Sequence, residues 1–105
     1  VPGDIGTRSY LCVGTDRSLE ETFGSSCHGA GRVLSRTAAR KKFGSRDLIG
    51  ELKDDGITVM ARGRGTVAEE MRGAYKDVSR VVEVMEKAGI SRRVARLRPI
   101  GVIKG

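Results

Sequence analysis

The sequence is poor in most of the residues from which a small protein builds a covalent staple or a large core. Tryptophan is absent, phenylalanine and tyrosine occur twice each, and aromatics make up 4% of the 105 residues. A core must therefore come from Val, Leu, Ile, Met and Ala, and in a chain long enough for at most one domain it is a thin one. The two cysteines, Cys12 and Cys27, stand too far apart for a metal-binding knuckle and are too few for a disulfide framework. The expectation is a pair of reduced thiols in a cytoplasmic, intracellular protein, with Cys12 a small core residue. No run is apolar and long enough for a membrane span or a secretory signal, so no membrane partner is expected. Histidine occurs once, at His28. One imidazole and two distant thiols make no closed set of metal ligands. Neither a Gly-x-Ser-x-Gly elbow nor a Gly-Lys-Ser/Thr phosphate loop is present, which argues against a serine hydrolase and a Walker-type nucleotide site. The chain opens Val1-Pro2-Gly3 without an initiator methionine, and this reads as the middle of a longer protein.

What the sequence has in excess is positive charge. Lysine and arginine number 20 against 13 acidic residues, a formal net charge of +7. Arginine predominates, and guanidinium forks pair bidentately with phosphate oxygens, so nucleic acid or a nucleotide is the first partner to consider. The alternative is a basic but unspecialised solvated surface. Arg62-Gly63-Arg64-Gly65 is best read as a basic loop.

Pro2 to Thr7 is a turn-rich opening. Ser9 to Val13 is a short, mostly apolar run bounded by Gly14 and reads as a buried strand; Thr15 to Thr22 reads as a connection. Gly31 to Phe43 has helical composition, with Val33, Leu34 and Ala38 inward and Arg32, Arg36 and Arg40 recurring every four residues. That spacing puts three guanidinium groups on one helix face, either solvated or tracking phosphates. Gly44 should stop this helix, and Ser45 should cap a second one that buries Leu48, Ile49 and Leu52 and ends at Gly56. Ile57 to Met60 reads as a strand. Thr66-Val67-Ala68-Glu69 has the form of a capping box opening a short turn. Asp77 should cap a third helix with Val78, Val81, Val82, Met85 and Ala88 on its inner stripe, closed by Gly89. Val94 to Ile103 alternates and then becomes apolar, with Pro99 marking an edge or a bulge.

His28 is the residue most able to carry chemistry. It could be a general base, a nucleophile, a metal ligand or a satisfied structural histidine. Gly29, Ala30 and Gly31 leave the backbone uncrowded before the expected helix, whose positive end would favour an anion beside the imidazole. That end would also favour neutral imidazole, the form that attacks phosphorus. Cys27 with His28 as its base is a further possibility, though adjacent residues seldom aim their side chains at each other. The residues lead to an anion site around His28 with two readings open: part of a phosphoryl or nucleotidyl transferase, or a non-catalytic basic RNA-binding module using Arg32, Arg36 and Arg40.

Phe23-Gly24-Ser25-Ser26-Cys27-His28-Gly29-Ala30-Gly31-Arg32 closely resembles the signature of the RtcB-type RNA-splicing ligases. Pro2-Gly3-x-x-Gly6-Thr7-x-Ser9-Tyr10, Ala74-Tyr75-Lys76-Asp77-Val78 and Leu97-Arg98-Pro99-Ile100-Gly101-Val102-Ile103-Lys104-Gly105 are similar too, in the same order along the whole chain. The resemblance implies a GTP- and Mn(II)-dependent ligase that joins RNA 2′,3′-cyclic phosphate or 3′-phosphate ends to 5′-hydroxyl ends, as in tRNA splicing and RNA repair. It implies that His28 becomes guanylylated. It further implies that Gly29, Ala30 and Gly31 contact the nucleotide, that Arg32 stands near the phosphates, and that Pro2, Gly3, Asp4 and Ile5 form a loop against the guanosine. Ser9 would bond to the guanosine, Tyr75 would pack near the base, and Lys104 would reach the guanine. Asp4 stands where relatives commonly carry serine, and its carboxylate could accept from the base.

The manganese ligands of the family lie upstream of the matched region. The implied fold is α+β: the C-terminal segment of the RtcB-like ligase fold, residues 1–105 forming one segment with short mixed strands and about three helices. Implied partners are RNA, either tRNA halves or broken ends, the missing N-terminal portion of the ligase, and an archease-type helper protein. In isolation the segment is expected to be inactive.

Overall fold

Frequent stop signals keep every element short. The computed structural model describes residues 1–105 and gives the order β1 (Ser9–Gly14), α1 (Asp16–Thr22), α2 (Arg36–Phe43), α3 (Leu48–Asp54), β2 (Thr58–Ala61), α4 (Arg64–Glu69), α5 (Val78–Lys87), β3 (Ser91–Leu97) and β4 (Gly101–Lys104). The architecture is α+β, as the sequence suggests. The strands make two separate two-stranded sheets, β1 antiparallel to β3 and β2 parallel to β4. β1 runs from Ser9 opposite Leu97 to Gly14 opposite Ser91, with a bulge between Leu11 and Cys12. β2 pairs Thr58 with Gly101 through Ala61 with Lys104. No helix is long and apolar enough to cross a membrane.

Several boundaries differ from the sequence reading, each for a local reason. Asp16–Thr22 form a helix rather than a connection: the side chain of the N-cap Thr15 accepts from the Ser18 N–H, Ser18 is buried, and Phe23 ends the helix in the left-handed region at φ 54°. The helix after His28 starts at Arg36, not Gly31. Gly31 takes φ +77°, Arg32 bridges to Tyr75, and the N–H groups of Val33 and Leu34 both donate to the Ala74 carbonyl. With that backbone occupied, Ser35 becomes the N-cap, accepting from Ala38. α3 is capped by Asp47, which accepts from the Gly50 N–H, rather than by Ser45. The Thr66–Glu69 capping box does not form, because α4 has already begun at Arg64. Asp77 does cap α5, and Gly56 and Gly89 take positive φ where their helices end. The apolar C-terminal stretch is broken around Pro99 into β3 and β4, which belong to different sheets.

The core is thin and divided. One cluster joins Ile5, Ala39, Phe43, Leu48, Leu52, Ile57, Val67, Ala68, Met71 and Ala74, with Val59, Ala61 and Val102 of the β2–β4 pair packed against it. A smaller one gathers Tyr10, Ala30, Val78 and Val82, with Cys12 half-buried beside them. β1 is not the buried strand expected. Tyr10 points inward but Leu11 and Val13 are exposed, since the two-stranded sheet is packed on the α5 side. Ala88 is likewise exposed, while Val78 and Val82 carry the buried stripe of α5. The molecule is elongated, 46 × 26 × 21 Å, and its radius of gyration of 15.3 Å exceeds the ~13 Å usual for a hundred residues.

Candidate functional site

The opening turn is fixed first. Pro2 bridges to Ser9, Gly3 N–H donates to the Arg8 carbonyl at 3.1 Å, and the chain's amino group donates to the Tyr10 carbonyl at 2.7 Å. A Cβ on Gly3 would lie 2.6 Å from the Arg8 oxygen, so only glycine permits this closure. The Asp4 carboxylate serves the same turn: one oxygen accepts from Gly6 N–H at 2.9 Å and the other from the Thr7 hydroxyl at 3.0 Å. Its chemistry is thus first that of an Asx turn.

The His28 segment docks on this turn. Ala30 N–H donates to the Pro2 carbonyl at 3.0 Å, and Gly31 and Lys76 are joined by a 2.9 Å bond. His28 sits in a bend and is exposed, at the rim of a cleft of about 610 Å³. This lies within the ~300–1,000 Å³ common for ligand pockets. Every residue that the resemblance assigns to the nucleotide lines it: Pro2, Gly3, Asp4, Ile5 and Ser9 on one wall, His28 to Arg32 on another, with Tyr75 and Lys104 closing it. Cys27 is not among the lining residues, which separates its thiol from the cleft.

At the base of the cleft is a charged network with Tyr75 and Glu70 at its centre. The Tyr75 hydroxyl donates to Glu70 Oε2 at 2.5 Å and accepts from Arg32 Nη1 at 2.9 Å. The Arg32 guanidinium lies over the Tyr75 ring, 4.7 Å from its centroid, and donates to the Leu34 and Glu69 carbonyls. Glu70 also meets Arg32 at 3.8 Å and the Lys104 ammonium at 3.7 Å. Burial first, and then the bond to Glu70 and its charge, push the Tyr75 phenol above its ordinary value, against the pull of Arg32. The chain end thus folds back to place Lys104 in the cleft.

The three arginines spaced by four do not make a stripe on one helix. Arg32 precedes α2, and each of the three has an acidic neighbour: Arg32 meets Glu70, while Arg36 and Arg40 meet Glu69 at 3.6 and 3.0 Å. A phosphate-tracking face built from them is therefore already partly neutralised. The expectation that a helix terminus follows Gly31 directly also fails; Arg36 opens α2 and itself lines the cleft, 68% exposed. Glu70 is a site residue that the sequence reading does not single out. Its one local signal is that Glu69-Glu70 is an acidic pair in a basic chain. No group of three or more His, Cys, Asp or Glu side chains is arranged to hold a metal ion.

A family model described as tRNA-splicing ligase RtcB matches residues 1–105. A tRNA-splicing ligase RtcB of Methanopyrus kandleri is 55% identical over the whole chain, which corresponds to 11% of that protein. The corresponding ligase of Pyrococcus horikoshii is 53% identical, with 12% of its length covered, and that of Thermococcus kodakarensis 53% identical, with 22% covered. The chain therefore spans only a small share of the length of these relatives.

Proposed function

The chain belongs to the RtcB family of tRNA-splicing ligases, and on that premise we propose that its cleft is the nucleotide-binding part of a GTP-dependent RNA ligase. The observation that carries the reading is the convergence on one cleft of the His28 segment with residues from three other, distant parts of the chain. In this proposal an imidazole nitrogen of His28 attacks the α-phosphate of GTP. A P–N bond forms, the bond to the β-phosphate oxygen breaks, and pyrophosphate leaves. GMP then passes to an RNA 3′-phosphate, generated directly or from a 2′,3′-cyclic end, and a 5′-hydroxyl displaces it to form the phosphodiester.

The chain's own groups supply binding and orientation. His28 is exposed at the rim, where an incoming phosphate can reach it. Gly29 to Gly31 offer uncrowded backbone, and Arg36, held only by a long contact to Glu69, has a guanidinium available for phosphate oxygens. Arg32 is committed to Tyr75 and two carbonyls, so its part is to fix the Tyr75 ring as a wall for the base. Lys104, steered by Glu70, presents an ammonium to an acceptor on the guanine edge. Pro2 to Ile5 and Ser9 flank the guanosine.

The donors in this chain do not fit a manganese ion, having one histidine and no acidic cluster. Mn(II) is accordingly assigned to residues outside these 105, and no step is built on it. The partners proposed are RNA ends, the remainder of a ligase like that of Methanopyrus kandleri, and an archease-type helper. The test is incorporation of label from GTP in the presence of Mn(II), with the chain alone and with the upstream portion of that relative. The expected result is no covalent GMP alone, covalent GMP with the added portion, and none with His28→Ala. Robust labelling of the chain alone would overturn the division of labour, and labelling that survives His28→Ala would overturn the assignment of the nucleophile.

A further inference from the structure

The loop that walls the His28 cleft has a second face. Pro2 to Ile5 and Ser9 line the first cleft, whereas Gly6, Thr7 and Arg8 line another of about 470 Å³, closed by Asp55, Ile57, Arg72, the Arg96-Leu97 end of β3 and Arg98 just beyond it. Four guanidinium groups meet there. Arg72 donates to the Gly6 carbonyl at 3.1 Å and Arg98 to the Asp55 carbonyl at 2.8 Å. These main-chain bonds hold the side chains in place and leave their charge uncompensated. Of the ten other arginines, six are matched: Arg17, Arg32, Arg36, Arg40, Arg46 and Arg93 each have a carboxylate within 4 Å. None of Arg8, Arg72, Arg96 and Arg98 takes part in such a pair. The one acidic residue of this cleft, Asp55, binds Arg98 through its main-chain oxygen. The Tyr10 phenol on the neighbouring strand registers the field: the Ser79 hydroxyl bonded to it, and then Arg8 and Arg96, hold it below its ordinary value.

We propose that this second cleft binds the phosphodiester backbone of single-stranded RNA, taking the strand as it leaves the cleft that holds His28. The proposal rests on the ligase reading for its choice of RNA. A slot of this size admits one backbone rather than a duplex, and it has no aromatic lining on which bases could stack, so binding is insensitive to sequence. A rigid fork such as arginine suits this task, because paired N–H groups match two phosphate oxygens at once.

The test is the salt dependence of affinity for a short labelled single-stranded RNA, measured by anisotropy with the 105-residue chain. Each phosphate that the protein ceases to neutralise lowers the slope of log affinity against log salt by ~0.7 for single strands. Arg96→Gln/Arg98→Gln is expected to reduce the slope by about 1.4, and Arg96→Lys/Arg98→Lys to keep it. Lys41→Gln/Arg92→Gln removes the same charge from exposed positions outside both clefts and should leave the slope almost unchanged. Should the double glutamine variant fail to fold, Arg96→Gln alone, at an exposed position, gives half the effect. An unchanged slope in the Arg96 and Arg98 glutamine variants, a fall in Arg96→Lys/Arg98→Lys, or an equal fall in the Lys41/Arg92 control overturns the site. Guanylylation of His28 with the upstream portion added and no RNA present tests the ligase reading alone, so the two proposals can fall separately.

Discussion

Replacing Glu70 by glutamine perturbs the one carboxylate that joins Tyr75, Arg32 and Lys104. The amide oxygen would still accept from the Tyr75 hydroxyl, so what is lost is charge. Glu70 is 17% exposed, but its contacts to Arg32 and Lys104 are long, 3.8 and 3.7 Å. Each therefore lies near the exposed-pair range of ~0.2–1 kcal/mol rather than that of a buried pair. Weakening the hydrogen bond to Tyr75 adds about 1 kcal/mol, since bonds to charged groups contribute ~1.5–3 kcal/mol and neutral ones about half as much. The sum is a destabilisation of roughly 1.5–3 kcal/mol, which lowers the melting temperature by about 6–24 °C for a chain of this size.

The same substitution carries a spectroscopic signature. With two tyrosines in the chain, phenolate absorbance should rise in two steps. The first belongs to Tyr10, held below the ordinary value of about 10 by Ser79, Arg8 and Arg96. The second belongs to Tyr75, pushed above it by burial and Glu70. Glu70→Gln should move the upper step down, leave part of the shift due to burial, and leave the lower step in place. The linkage has a definite sign. Because the folded-state value of Tyr75 is raised, its contribution to stability is complete below the unfolded value and is lost as pH rises through the folded one. Tyr10 acts in the opposite sense: its contribution is present above the unfolded value and lost as pH falls through its lowered one. A single phenolate step in the parent chain, or an upper step that Glu70→Gln does not move, would refute the network as the source of the shift.

Two further substitutions test the backbone that positions the cleft. Phe23→Gly should stabilise by about 1 kcal/mol, since a left-handed conformation costs an L-residue ~1–2 kcal/mol and the Phe23 ring, 95% exposed, gives up little burial. A lower urea midpoint for that variant would contradict it. Gly3→Ala should destabilise by about 1–3 kcal/mol, because its Cβ meets the Arg8 carbonyl at 2.6 Å. Thermal melting followed by circular dichroism reads this, and an unchanged melting temperature would show that the turn yields freely.

Much of the fold is legible where a signal is local. Asp77 followed by a Val stripe announces α5, and Gly56 and Gly89 mark helix ends through positive φ. The start of α2 is illegible because Arg32 shares the four-residue spacing of Arg36 and Arg40, while the pairing that removes it from the helix comes from Tyr75, far along the chain. α1 lacks an apolar stripe that would announce it, although Thr15 and the Arg17–Glu21 pair are cues. His28 and Gly29 to Gly31 stand out by residue chemistry, whereas the other residues of the cleft are legible through resemblance and not through pattern. Nothing near Glu70 in sequence indicates that a tyrosine, an arginine and the penultimate lysine will converge on it. The arginine cleft is illegible for the same reason: Arg8, Arg72, Arg96 and Arg98 come together only once β1 has paired with β3.

That pairing sets the order in which the molecule can acquire its clefts. Ser9 meets Leu97, and Thr58 meets Gly101, so both sheets close over long stretches of intervening chain. Loop-closure entropy must be overcome before such contacts stabilise anything, and topologies of this kind fold slowly. The helices can flicker into place early, yet the walls around His28 are drawn from residues 2–9, 28–36, 70–75 and 99–104 and become neighbours only late in folding. An intermediate in which β4 has not yet paired with β2 therefore displays the histidine without the wall that Lys104 completes.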